Sequence, residues 1–400
     1  MTVPAAASHV ALKDAPSKAV EAALAARPTH VRLERCKLGA KVLALLAKND
    51  ALVSLEIFSS TLSAKAATPM FESAQWPALE RLDLRGNKIA DALPALAEHA
   101  PPRLRELRLG FTGLRAPHIE ALHAIGTIER WTSGADDLGP SGVVAIAKSG
   151  WPLVALTMYR QRVGASGLEL LAKTLPASLR SLVLYEADVG LRGLEHLASS
   201  STLAPEEVRF RYDPIDTKGF AALVTSPFAA SLTTLQVSQC RLDDGAIDAL
   251  LGTTLPSQLA VLDLSTNARM SPASMASFAS TPWPLLRSLR IGGFAMGASG
   301  MTHLATATLP AIEELDLTYA ELNDLAMDHL AAAPWLRGVK RLYLGTNDIG
   351  EAGIAALARS PHLGTIEELR LFQTPASRLG VVIPSESPLA RAKLVTTFTQ

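Results

Sequence analysis

"LERLDLRGNKIAD", residues 79–91, sets Leu79, Leu82, Leu84 and Ile89 among polar neighbours. Almost the same spacing returns in "IEELDLTYAELND" from Ile312 and in "VKRLYLGTNDIGE" from Val339. A spacing that recurs so far along one chain calls for a search for internal repeats before any other reading.

Taking Leu82 as the anchor, equivalent positions are Val31, Leu55, Leu82, Leu107, Trp131, Leu156, Leu182, Val208, Leu235, Leu262, Leu289, Leu315, Leu342 and Leu369. Successive separations run from 24 to 27 residues and average 26. Around most anchors the template L-x-x-L-x-L-x-x-N-x-L holds. Two units depart from it: "IERWTSGADDL" from Ile128 has Ser133 where a Leu belongs, and "PEEVRFRYDPI" opens on Pro205.

Between these segments lies a second pattern, as in "GASGLELLAKTLP" from Gly164, "GLRGLEHLASS" from Gly190 and "GEAGIAALARSP" from Gly350. Apolar residues at i, i+3 and i+4, such as Leu168, Leu171 and Ala172, predict a short amphipathic helix. Pro176, Pro256, Pro310 and the pairs Trp76-Pro77, Trp151-Pro152 and Trp283-Pro284 then stop it. Proline lacks the amide hydrogen and disfavours helix in the residue before it. Each unit is therefore a short strand, a turn, a helix and a return loop. One unit cannot bury its leucine face alone, but stacked units share one elongated core.

The chain resembles the leucine-rich-repeat family, in its ribonuclease-inhibitor-like subtype with a helix in every repeat. The resemblance covers residues 28–377, about fourteen units, between a leader and helical cap at 1–27, with the helix candidate "KAVEAALAAR", and a cap or tail at 378–400. It implies an α/β fold: a right-handed solenoid or horseshoe with a parallel β-sheet on the concave face and α-helices on the convex face. Strands stack at about 4.8 Å while packed helices want about 8–10 Å, and that mismatch bends such a stack. The family's Asn position holds Asn only at Asn87, Asn267 and Asn347, so a continuous asparagine ladder is in doubt.

Composition narrows the function classes. Lys plus Arg and Asp plus Glu both count 38, so no global charge argues for nucleic acid or an anionic membrane. Cys36 and Cys240 stand too far apart in sequence for a disulfide framework, which suits a reducing compartment. No apolar run approaches a membrane span, and "MTVPAAASHVALKDAP" lacks a secretion signal. The expectation is a cytoplasmic protein, and the high alanine content suggests a bacterial source.

No motif for phosphate binding, zinc hydrolysis or a nucleophile elbow is present in the sequence. The nine histidines scatter, with His99, His123, His196, His303, His329 and His362 in or just after predicted helices. Both cysteines occupy the template position where the family accepts Asn or Cys, and buried cysteines there are inert. The expectation is a protein without catalytic residues, metal or cofactor.

Side chains alternate along a strand, so the fifth, seventh and eighth template places face away from the leucines. All five tyrosines occupy them: Tyr159, Tyr185, Tyr212, Tyr319 and Tyr343. Phe58, Phe111 and Phe372 join them, interleaved with arginines that include Arg85, Arg160, Arg209, Arg211, Arg290 and Arg370. Tyrosine prefers strands in any case, but that preference does not account for the absence of tyrosine from the leucine places. Tyr and Arg are enriched at interface hot spots. The predicted contact set is Tyr159, Arg160, Tyr185, Glu186, Arg209, Arg211, Tyr212, Tyr319, Tyr343, Arg370 and Phe372, densest from Tyr159 to Tyr212. Its mixed charge favours a protein partner over nucleic acid. A protein-binding scaffold is the leading expectation. The alternative is a regulator of an enzyme, ribonuclease-inhibitor-like or GTPase-activator-like, which the resemblance implies only by analogy.

Overall fold

The computed structural model describes residues 8–136, 138–364, 366–379, 383 and 385–397. Residues 1–7 of the expected leader, and 380–382, 384 and 398–400 of the expected tail, lie outside the described residues. The chain divides into two compact units, one ending at Asp188 and one beginning at Val189.

In the first unit, strands β1 (His9–Lys13), β2 (His30–Glu34), β3 (Ser54–Phe58), β4 (Arg81–Asp83), β5 (Glu106–Arg108), β6 (Arg130–Gly134), β7 (Ala155–Tyr159) and β8 (Ser181–Tyr185) each pair in parallel with the next. The register is the one read from the sequence: Val31, Leu55, Leu82, Leu107, Trp131, Leu156 and Leu182 are successive partners. The second unit repeats the arrangement with β9 (Glu207–Arg211), β10 (Thr234–Ser238), β11 (Val261–Asp263), β12 (Ser288–Arg290), β13 (Glu314–Asp316), β14 (Arg341–Tyr343), β15 (Glu368–Arg370) and β16 (Lys393–Val395).

Parallel neighbours need a crossover connection, and every described connection carries a helix. Helix Gly164–Thr174 buries Leu168, Leu171 and Ala172, the stripe that the spacing predicts. The expected helix near the N-terminus runs Ser17–Leu24, and β1 before it pairs in register with β2. Strand β16, within the expected tail, pairs likewise with β15. Pro256 behaves differently from the other helix-ending prolines. It sits in the first turn of a second short helix, Leu255–Gln258, where its missing N–H costs nothing.

The leucine places close the core. Leu55, Leu82, Leu107, Leu182, Leu262, Leu289, Leu315, Leu342 and Leu369 are fully buried, and truncating any one to alanine costs about 2–5 kcal/mol. The repeat with Ser133 keeps its packing by a substitution of another kind. The Trp131 indole fills the space, donates from Nε1 to Ser133 Oγ at 2.9 Å, and Ser133 in turn donates to Gln161 Oε1 at 3.2 Å. The Trp131 ring lies 4.7 Å from that of Trp151.

Where it holds a polar residue, the ninth template place fastens its repeat to a neighbour. Asn347 Nδ2 donates to Leu317 O and Leu344 O, both at 2.9 Å. Its Oδ1 accepts from the amides of Ala320 and Leu322 at 2.9 and 3.1 Å. Asn87 and Asn267 do the same in their own repeats. Where Asn is missing, other groups take part of the role. Asp136 accepts from Gly113 N at 2.8 Å and Thr112 Oγ1 at 3.3 Å, and Ser60 accepts from Cys36 N at 3.0 Å. The ladder is thus discontinuous: Asp and Ser keep part of it, while the side chains of Ala187, Phe294 and Ala320 carry no polar group.

Candidate functional site: the open sheet face

In each unit the strand face turned away from the leucines is the candidate surface. Its edge is set by a backbone feature common to all repeats. The eighth template place has positive φ in every strand-bearing repeat from Asp14 to Gln373, glycine or not, with values such as 54° at Phe111, 58° at Tyr212 and 59° at Tyr319. Despite the left-handed geometry, these amides continue the inter-strand ladder. Arg160 N donates to Tyr185 O at 2.8 Å, and Tyr319 N donates to Gly345 O at 2.9 Å. A left-handed non-glycine residue costs about 1–2 kcal/mol, so this place carries stored strain wherever a large side chain stands.

In the first unit, a ring and two glycines shape the face. The Tyr159 ring lies over Gly134 on the preceding strand, where any Cβ would overlap it, and its hydroxyl reaches the Cα of Gly110 one repeat further back. Only glycine leaves room for so close an approach. The Phe111 ring sits 6.5 Å away. Burial raises the Tyr159 phenol above its ordinary range, against the nearby Arg85 guanidinium. Arg85 is itself held by Asp83, Nη2 to Oδ2 at 2.6 Å, and lies over the Phe58 ring at 5.7 Å. At the edge, Arg35 pairs with Asp14 at 2.7 Å and Arg160 with Glu186 at 3.2 Å.

The second unit carries interlocked charges, as Glu106 between Arg81 and Arg108 does in the first. Glu314 accepts from Arg290 at 2.7 Å, Arg341 at 2.9 Å and Ser288 at 3.2 Å. Burial opposes the ionisation of Glu314, but the Arg290 and Arg341 hydrogen bonds outweigh it and hold the carboxyl below its usual range. Asp316 is pushed the other way, by burial and by the neighbouring Asp263. Arg370 pairs with Glu368 at 2.7 Å and stacks 4.4 Å from the centre of the Tyr343 ring. Burial raises the Tyr343 phenol. The Phe372 ring covers Gly345 as Tyr159 covers Gly134.

The predicted contact residues therefore differ in availability. Tyr319 and Tyr212 are 64% and 51% exposed. Arg160, Glu186 and Arg211 are exposed, while Tyr159, Tyr185, Arg209, Tyr343, Arg370 and Phe372 are half-buried. Arg209 pairs with Glu207 along its own strand. Sequence reasoning missed the third template place, which strand alternation puts on the same face. That place supplies Glu106, Glu207, Glu314 and Glu368, the partners of the arginines. It also supplies His9 and His30, whose rings stack at 4.3 Å although they are distant in sequence.

Neither cysteine is placed as a nucleophile. Cys36 is fully buried, and burial pushes the Cys240 thiol up to about 12. Among the described residues there is no cluster of three or more His, Cys, Asp or Glu placed to hold a metal. Nor is any helix there long and apolar enough to cross a membrane.

A chain of the yeast Rad7–Elc1 complex is similar in structure, with a TM-score of 0.58 at 16% identity over 94% of this chain and 86% of that one. An internalin, inlF, from Listeria monocytogenes aligns at a TM-score of 0.48 and 18% identity, over 86% of this chain and 87% of that one. No family model matches the chain, and no curated protein matches it in sequence. With its parallel strands, a helix in every connection and leucines in register, the chain is a leucine-rich-repeat protein in its fold. A helix in each repeat is the feature of the ribonuclease-inhibitor-like subtype.

Proposed function

We propose that the chain is a non-enzymatic scaffold that binds a protein partner on the open sheet face. The observation that carries this reading is a division of apolar side chains. Leucines saturate the face toward the helices, yet large aromatics remain exposed on the other side: Phe58 at 36%, Phe111 at 45%, Tyr212 at 51% and Tyr319 at 64%. Exposed aromatic rings beside arginines are the residues that dominate interface energetics. The similar yeast chain was solved in a complex of two proteins, which agrees with the reading. The inert thiols support a non-catalytic role, and two free cysteines fit a reducing, cytoplasmic setting.

The test is affinity capture from source-cell extract with the wild-type chain, beside a Tyr185→Ala, Arg211→Ala variant of unchanged melting temperature. The expected result is a protein retained by the first and lost by the second. Unchanged capture of every partner by the variant overturns the reading.

A further inference from the structure

The eighth-place rows of the two units differ in chemistry. In the first unit the row reads Asp14, Arg35, Ser59, Gly86, Phe111, Ala135, Arg160, Glu186, and its charges pair within the row. In the second unit it reads Tyr212, Gln239, Thr266, Gly293, Tyr319, Thr346, Gln373, without a single charge. The turn residues that follow it add the buried Asp213 and, beyond it, Arg241, Arg269, Glu321 and Asp348. The row is neutral and rich in hydroxyl and amide groups.

Folding does not explain its two tyrosines. Both stand in left-handed backbone, where a bulky side chain is disfavoured, and both are mostly exposed, so neither is offset by burial. The Tyr319 side chain makes no hydrogen bond, ion pair or ring contact among the described residues, whereas Tyr212 is steadied by Arg211, whose guanidinium carbon lies 4.9 Å from the ring centre. The amides are also oriented. Gln239 Oε1 accepts from Arg211 Nε at 3.3 Å, and Gln373 Oε1 accepts from Thr346 Oγ1 at 3.0 Å. Each glutamine's NH₂ donor makes no hydrogen bond among the described residues. Strained, exposed residues at a site are a pointer to function, and this pairing of tyrosine with small hydrogen-bonding residues is what binding loops use for neutral polar surfaces.

We infer that the eighth-place row of the second unit docks an uncharged, extended segment of a partner polypeptide, its carbonyls meeting the glutamine NH₂ donors and its side chains resting on Tyr212 and Tyr319. The inference rests on the scaffold reading above and narrows it to one edge and one chemistry. Such an interface holds no ion pair across it, so its affinity is insensitive to salt.

A peptide library displayed on phage, with all residue types represented, is panned against the full chain. Selected peptides are then titrated against the wild type and a Tyr212→Gly, Tyr319→Gly variant. Glycine relieves the left-handed backbone, so the variant keeps or raises its melting temperature and a loss of binding is not unfolding. The expected result is uncharged peptides whose affinity falls about tenfold or more in the variant and changes less than about twofold between low and high salt. The inference is overturned if the peptides are charged and salt-sensitive, if the variant binds them equally, or if none is enriched. Those outcomes leave the scaffold reading standing wherever Tyr185→Ala, Arg211→Ala still abolishes capture of a partner protein. Capture that survives every variant sinks both.

Discussion

Each unit repeats the same strand register and the same left-handed eighth place, yet the two give different weight to the two ways of filling the open face. In the first, glycine at two seventh places lets the Tyr159 ring lie flat across neighbouring repeats. In the second, Glu314 from the third place ties Arg290 of β12 to Arg341 of β14. The same scaffold therefore tolerates an apolar cover in one place and a half-buried ionic network in another. The lesson is that the leucine spine fixes only where side chains go; what they do is decided between neighbouring strands.

The contrast can be broken first at the ninth place. Asn347→Ala removes an amide bonded to five backbone groups and should cost about 4 kcal/mol, against about 2 kcal/mol for Asp136→Ala, which loses two bonds, since each lost buried bond is worth about 1 kcal/mol. Urea unfolding of both variants measures the gap, and equal losses would mean that Asp136 fastens its repeat as firmly as the asparagine does. Glu314→Gln comes next, with a loss of about 2 kcal/mol at neutral pH. Because the folded Glu314 pKa is lowered, its stabilisation is present above the ordinary value of 4.5 and disappears as pH falls through the folded value. A pH-independent loss in thermal melts would show that packing, not ionisation, is what Glu314 contributes.

Asp316→Asn should act with the opposite sign. Its folded pKa is raised above 3.8, so ionisation weakens the fold increasingly as pH rises from there to the folded value, and no penalty exists below it. The variant should be more stable by about 1 kcal/mol near pH 7 and no different in strong acid. In the first unit, Gly134→Ala should lift the Tyr159 ring off its seat. A phenolate absorbance titration would then show one of the late-titrating tyrosines returning toward its ordinary range, and an unchanged curve would refute the glycine seat. The smallest effect is at Cys240, which should stay unmodified by a disulfide reagent in the native protein at neutral pH and react once unfolded.

Strand positions were legible because the leucine period is redundant: each anchor from Val31 to Leu369 became the observed strand register within its unit. The terminal strands β1 and β16 were hidden, since Val10 and Leu394 lack most of the template around them. Exposure at the candidate face was only half legible. Alternation gives the side of the sheet but not whether a ring stands up, as Tyr319 does, or lies down on a glycine of another strand, as Tyr159 does. The third place is readable by the same alternation, but it holds no tyrosine to single it out. The left-handed eighth place carries few glycines, so no composition signal marked it.

The tryptophan at position 131 and the serine at position 133 cannot be exchanged one at a time. Ser133→Leu alone restores the template but strands the indole N–H and crowds the ring, while Trp131→Leu alone leaves a void beside a buried hydroxyl. Only the double substitution gives an ordinary repeat. The two positions are therefore energetically coupled: each single change passes through a less stable protein, and the pair tolerates replacement only together.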